Sequence, residues 1–138
     1  MKKYIFEART KQQLKSWYSG KVRKNQMGFG NFETFDAWYK KQTKQCHYCR
    51  IEEVLVQEIV MRGLLTSARF PKKGLKARGR NRGKWLEVDR KNPNGNYTAS
   101  NCVLACYFCN NDKSDVFNET QYQEFKENRA GFLRGLLG

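Results

Sequence analysis

Cys46-His47-Tyr48-Cys49 and Cys106-Tyr107-Phe108-Cys109 are two C-x-x-C knuckles set far apart in one short chain, and the second runs straight into Asn110-Asn111-Asp112-Lys113. Two thiolate pairs at this spacing can close one tetrahedral zinc site, so the fold has to bring these distant segments together. Compact zinc ribbons separate their knuckles by only about 15–20 residues; here the metal must bridge across everything inserted between Cys49 and Cys106. The chain of 138 residues has room for a single domain, read over 1–138, and its hydrophobic fraction of 39% supports only a modest core. A structural metal would add to that core.

Five cysteines leave one outside any pairing scheme, and Cys102 is taken as the odd one, a small buried residue on a short strand. Metal ligation is preferred to disulfides because the chain reads as cytoplasmic. Its start, Met1-Lys2-Lys3-Tyr4-Ile5-Phe6-Glu7, lacks the apolar segment and cleavage site of a signal peptide, and no apolar run is long enough to cross a membrane.

The charge balance narrows the partners. Lys plus Arg number 27 against 13 Asp plus Glu, a net of +14, and such a field attracts polyanions and releases counterions from phosphates. Between Arg62 and Lys84 lie Arg69, Lys72, Lys73, Lys76, Arg78, Arg80 and Arg82, with glycines interspersed and no acidic residue. Read as a loop that contacts nucleic acid, this stretch supplies Arg69, Lys72, Lys73, Lys76, Arg78, Arg80, Arg82 and Lys84 as candidate DNA contacts. It has no helical hydrophobic stripe, which sets aside a basic amphipathic membrane binder.

Three helices are expected before this loop. The first runs from about Glu7 to Lys24 with Leu14, Trp17, Tyr18 and Val22 at helical intervals; the second is capped by Asn31 and carries Phe32, Phe35, Trp38 and Tyr39 on a core face. The third, Ile51 to Leu65, carries Val54, Leu55, Ile59 and Leu64, with Glu52, Glu53 and Glu58 toward its start, where the helix dipole favours acids. Further on, Asn118 with Gln121 opens a helix whose apolar side holds Tyr122 and Phe125. The tail from Phe132 to Gly138 is either packed on the domain or used in self-association. The organisation expected is a helical part over 1–45, a stapled core over 46–115 with the basic insertion 62–84, and a helix and tail over 116–138.

The chemistry is expected between Trp85 and Asp115. Trp85 to Asp89 alternates as a half-buried strand, Asn92-Pro93-Asn94-Gly95-Asn96 is a dense turn signal, and Cys102 to Cys106 is a second short strand followed by a helix. In such a unit Asp89 at a strand end and Asn110 on the first helical turn can converge. A carboxylate and an amide oxygen are hard ligands suited to Mg2+ or Mn2+, and two protein ligands leave positions open for phosphate and water. Taken singly, each residue is more ordinarily a cap or turn former.

Leu86-Glu87-Val88-Asp89-Arg90, Asn94-Gly95-Asn96-Tyr97, Asn101 to Asn110 and Lys113-Ser114-Asp115 together resemble the ββα-metal core of the His-Asn-His (HNH) endonucleases, in the variety with flanking C-x-x-C knuckles. The similarity is greatest to small bacterial and phage members. It implies an α+β fold with structural zinc on Cys46, Cys49, Cys106 and Cys109, a catalytic divalent metal on Asp89 and Asn110, and Asn101 bracing the loop between the strands. The family usually has its general-base His directly after the metal-binding Asp. Arg90 stands there instead and cannot deprotonate water near neutral pH, so it is read as gripping the scissile phosphate.

His47, the one histidine, is the candidate base; its other readings are a surface residue or an alternative zinc ligand. Tyr48 and Tyr97 are lesser candidates, more ordinarily packing residues. Lys113, one turn beyond Asn110, is read as a phosphate contact or an ordinary surface lysine. The expectation is a metal-dependent endonuclease acting on double-stranded DNA, of a type II restriction kind and possible homodimer, with no small-molecule substrate and no membrane. The alternatives are a nicking phage or homing nuclease, and a zinc module that binds nucleic acid without cutting it.

Overall fold

The structure, a computed structural model, describes residues 3–71, 82–126 and 129–138. Thr10 opens the first helix, α1 (Lys11–Arg23), through a capping box in which Gln13 N donates to Thr10 Oγ1 at 3.2 Å and Thr10 N to Gln13 Oε1 at 2.7 Å. The expected start near Glu7 is displaced for a tertiary reason. Gln57, fully buried, accepts from Glu7 N and Tyr4 OH and donates to the carbonyls of Glu7 and Lys84, while Trp85 Nε1 also donates to Glu7 O. These bonds hold the segment extended, which a helix there would break.

Asn31 caps α2 (Phe32–Lys41), its Oδ1 accepting from Thr34 N at 2.8 Å. The aromatic face expected on this helix is core: Phe35 is fully buried, with Trp17 stacked on it at 5.0 Å and Tyr18, Phe29, Phe32, Trp38 and Tyr39 around it. Leu14 and Tyr18 are the buried side chains of α1, whereas Val22 is 51% exposed.

The third helix, α3 (Glu53–Met61), is shorter than expected; Ile59 is buried and Leu55 and Leu64 pack on the core as read, but Val54 does not. It buries Val56, Gln57, Ile59 and Val60 and exposes Val54, because its start is fixed by Glu53, whose carboxylate turns inward to accept Leu86 N at 2.9 Å. That acid serves the strand ahead and not the helix dipole.

Strands β1 (Glu87–Arg90) and β2 (Cys102–Ala105) pair antiparallel, Glu87 opposite Ala105 and Arg90 opposite Cys102, and α4 (Tyr107–Lys113) packs back on β1. This is the strand, loop, strand, helix unit, with helices around it in an α+β arrangement. Asn118 and Gln121 form the expected capping box of α5 (Glu119–Phe125), which buries Tyr122 and leaves Phe125 stacked on Phe117 at 4.9 Å. The last helix, α6 (Arg129–Gly135), docks through buried Leu133, and Arg134 bonds Arg50 O and the Glu52 carboxylate, so the tail is packed on the rest. No helix among the described residues is long and apolar enough to cross a membrane.

Candidate metal centres and catalytic cleft

Backbone bonds fix the first knuckle. Cys46 N donates to Ile51 O at 2.8 Å and Arg50 N to Cys46 O at 3.0 Å, with Arg50 in the left-handed region at φ 67°. His47 N then reaches across to Leu104 O at 2.8 Å, on the strand that leads into the second knuckle. That bond closes the long sequence separation. Cys106 in turn caps α4, its sulfur accepting from Cys109 N at 3.4 Å.

As a result the sulfurs of Cys46, Cys49, Cys106 and Cys109 all lie within 4.8 Å of one another, and Cys49 Sγ is 3.8 Å from Cys106 Sγ. A tetrahedron with sulfurs about 2.3 Å from its centre has edges of roughly 3.8 Å, so the cluster could hold a metal ion of that class. It is closed and buried, the character of a structural site. Thiol hydrogen bonds from Cys106, Cys109 and Cys49 pull the Cys46 pKa far down, while bonds with Cys109, Cys46 and Cys49, together with burial, push Cys106 far up. The Cys49 thiol is drawn down as well, by bonds with Cys106 and Cys109, and a divalent cation would stabilise the thiolate forms further. Cys102, buried on β2, stands apart, and burial pushes its thiol up to about 12.

Asp89 of β1 and Asn110 of α4 open onto one cleft of about 260 Å³, which Arg90, Tyr97, Ser114 and Asp115 also line. Residues two apart on the strand meet residues three apart on the helix: Asn110 faces Glu87, and Lys113 faces Asp89. Asn110 Nδ2 donates to Glu87 Oε1 at 2.8 Å, and since a carboxylate only accepts, that bond dictates which way the amide points. Its Oδ1 is the amide atom that Glu87 does not engage. Asp89 and Asn110, a carboxylate and an amide lining one cleft, are oxygen donors of the kind that could hold a magnesium-like or manganese-like ion.

Asp89 is 6% exposed, and its Oδ2 accepts from Tyr48 OH at 2.7 Å and lies 3.3 Å from Lys113 Nζ. Burial raises the Asp89 pKa, against the opposing pull of the Tyr48 hydroxyl and the Lys113 charge. Lys113 is 0% exposed and also donates to Arg90 O at 2.9 Å. This corrects the expectation that Lys113 contacts a phosphate: the helix face that presents Asn110 to the cleft carries Lys113 into the interior. Tyr48, read as a packing residue, is the brace of the Asp89 carboxylate, and burial followed by the Asp89 charge holds its phenol protonated.

Arg90 Nη1 donates to Gly95 O at 3.0 Å, its guanidinium lies 4.9 Å from the Tyr97 ring centre, and among the described residues no carboxylate pairs with it. Asn101 spans the loop between the strands: its Nδ2 donates to Asn92 O and Asn96 O, and its Oδ1 accepts from Asn92 N. Gly95 is required beside it, because a Cβ there would come within 2.9 Å of Asn101 Nδ2.

His47 is not brought to the cleft. Its Nε2 pairs with Glu119 at the start of α5, and of the two knuckle residues it is Tyr48 that reaches Asp89. Of the basic segment, Lys72, Lys73, Lys76, Arg78 and Arg80 lie outside the described residues. Arg82 is held by both oxygens of Glu87, Lys84 by Glu7, and Arg69 donates to Tyr107 OH and Asn111 Oδ1. The segment holds no acid of its own, but carboxylates from elsewhere in the chain compensate part of it. Glu87 was missed as a site residue, although its place two before Asp89 already puts both on one strand face.

No protein-family model and no curated relative matches this chain. A search of solved structures finds the rare-cutting HNH restriction endonuclease PacI, superposing with a TM-score of 0.65 over 90% of this chain and 79% of that chain at 24% identity. The chain has an HNH-type fold similar to that of PacI.

Proposed function

We propose that this protein is an endonuclease that hydrolyses phosphodiester bonds of double-stranded DNA, with zinc in the four-cysteine cluster and a divalent metal on Asp89 and Asn110. The observation that carries this reading is the convergence of Asp89, Arg90 and Asn110 on one cleft, with the Asn110 oxygen not engaged by Glu87. Mg2+ or Mn2+ held there would polarise a phosphoryl oxygen and lower the pKa of a bound water. Arg90, held by Gly95 O and in no ion pair among the described residues, would take the charge that develops on the phosphate. Tyr48 and Lys113 would orient Asp89 and favour its ionised form against the effect of burial. Asn101 and Gly95 hold the loop that positions Arg90, and the remaining basic side chains would follow the DNA backbone. A type II restriction enzyme working as a homodimer is the form we propose, as in a palindrome cut once per strand; the kinship in fold with PacI supports it.

One observation favours a second reading, a zinc module that binds DNA without cutting it. Asp89 already has a buried counter-ion in Lys113. Zinc-loaded protein incubated with supercoiled plasmid and Mg2+ or Mn2+ decides between them. The nuclease reading expects nicked or linear DNA from wild type and at least about a hundredfold less from Asn110→Ala. Intact plasmid across metals and salt, with DNA still shifted on a gel, gives the second reading.

A further inference from the structure

Beside the catalytic cleft lies a larger groove of about 500 Å³, walled on one side by α1 and on the other by β1 and the segment 82–85. Val88, Tyr97 and Asn110 line both, so the two openings adjoin. The sequence assigns α1 no function. Its groove-facing side carries Gln12, Gln13, Ser16 and Lys21, of which Gln13 is already engaged in the helix cap and Lys21 is the cation.

Lys21 is the side chain that stands out. Its Nζ lies 5.2 Å from the Tyr97 ring centre and 5.9 Å from that of Trp17, and Arg90 lies over the same Tyr97 ring. Aromatic faces hold a cation in place without neutralising it. The carboxylate whose charge acts on Lys21 is Glu87, which is already bonded twice by Arg82 and once by Asn110. Partial burial and the like charges of Lys24, Arg90 and Arg82 all disfavour the ammonium form. A cation kept there, half-buried among other cations, is relieved by an anion entering the groove.

We propose that Lys21, backed by Tyr97 and Trp17, holds a phosphate of the nucleic-acid strand next to the one gripped by Arg90. The inference rests on the nuclease reading and extends it: the strand passes from the catalytic cleft along α1, so that α1 and the basic segment flank it. As a backbone contact Lys21 adds affinity and register without reading bases.

The test is binding of a labelled random-sequence duplex by fluorescence anisotropy without added divalent metal, over roughly 50 to 200 mM salt. For Lys21→Gln the slope of log K against log salt becomes shallower by about one, with weaker binding to every sequence. Lys21→Arg keeps the wild-type slope. Lys40→Gln, an equal charge change at a residue paired with Asp36 on α2, leaves the slope unchanged. Circular dichroism and zinc content check that each variant is folded. A wild type that binds and cuts DNA while Lys21→Gln keeps the full slope overturns this inference alone. A wild type that neither binds nor cuts removes the nuclease reading and this inference with it.

Discussion

The four-cysteine cluster and the Asp89–Asn110 cleft are built from adjoining residues and follow opposite rules. Cys109 and Asn110 are neighbours on α4, where consecutive side chains diverge by about 100°, so one helix turns a sulfur into a closed interior and an amide toward an opening. In the cluster four like ligands have chiefly one another for partners. In the cleft each candidate ligand is held by a different side chain, Asp89 by Tyr48 and Lys113, Asn110 by Glu87. The difference teaches a division of labour: the closed site places the helix, and the open site's braces place the atoms that would meet a substrate.

The largest effect belongs to the closed site. Structural zinc binding contributes about 10–16 kcal/mol in small domains, comparable to or larger than the whole stability of about 5–15 kcal/mol usual for a protein. Stripping the metal, or Cys109→Ser, should therefore abolish the cooperative thermal transition and cleavage together, followed by circular dichroism beside metal analysis. Stripped protein that melts as before would break the comparison at its root. Next in size is Asp89→Asn, which leaves Lys113 buried without its counter-charge and should cost about 3–5 kcal/mol. Adding Lys113→Met should return most of that stability in urea melts while cleavage stays absent. Stability and chemistry would then be separable at the open site, as they are not at the closed one; a cleaving double variant would remove Asp89 from the chemistry.

Much of this contrast was legible from residue types. The knuckles announced the cluster, alternation around Asp89 and the turn at Asn92–Asn96 announced the strand pair, and Asn31, Asn118 and Gln121 marked helix starts by their caps. What escaped was set by long-range partners. Gln57 holds the segment at Glu7 extended, Glu53 turns inward to Leu86 N, and Lys113 goes to Asp89, each a polar side chain buried by a bond to a residue far along the chain. Local periodicity treats such residues as solvent-facing. His47 was misplaced for a related reason, since a knuckle's spacing fixes its sulfurs but not the ring between them.

A smaller effect sharpens the open side. Glu87→Ala removes the group that orients Asn110 and should weaken the Mn2+ dependence of cleavage about 10–100-fold, while the melting temperature moves far less than after Cys109→Ser. An unchanged metal titration would show that Asn110 needs no such brace.

The smallest effect is at Cys102, which tests whether closure or mere burial distinguishes the cluster. Cys102 is buried as the four clustered cysteines are but stands outside their group, and burial, with a smaller push from the Asp89 charge, raises its thiol to about 12. At pH 8 it is then almost wholly the unreactive thiol, so iodoacetamide should leave native protein unmodified by intact mass. Zinc-stripped protein should take up label at Cys102 as well as at the four ligands, because opening the fold exposes all five. Cys102→Ala should keep a stoichiometry of one zinc per chain and full cleavage, at a cost of about 1 kcal/mol for the lost packing. If Cys102→Ala instead lost zinc, the fifth sulfur would belong to the metal centre and the cluster would not be the closed set of four that its geometry describes.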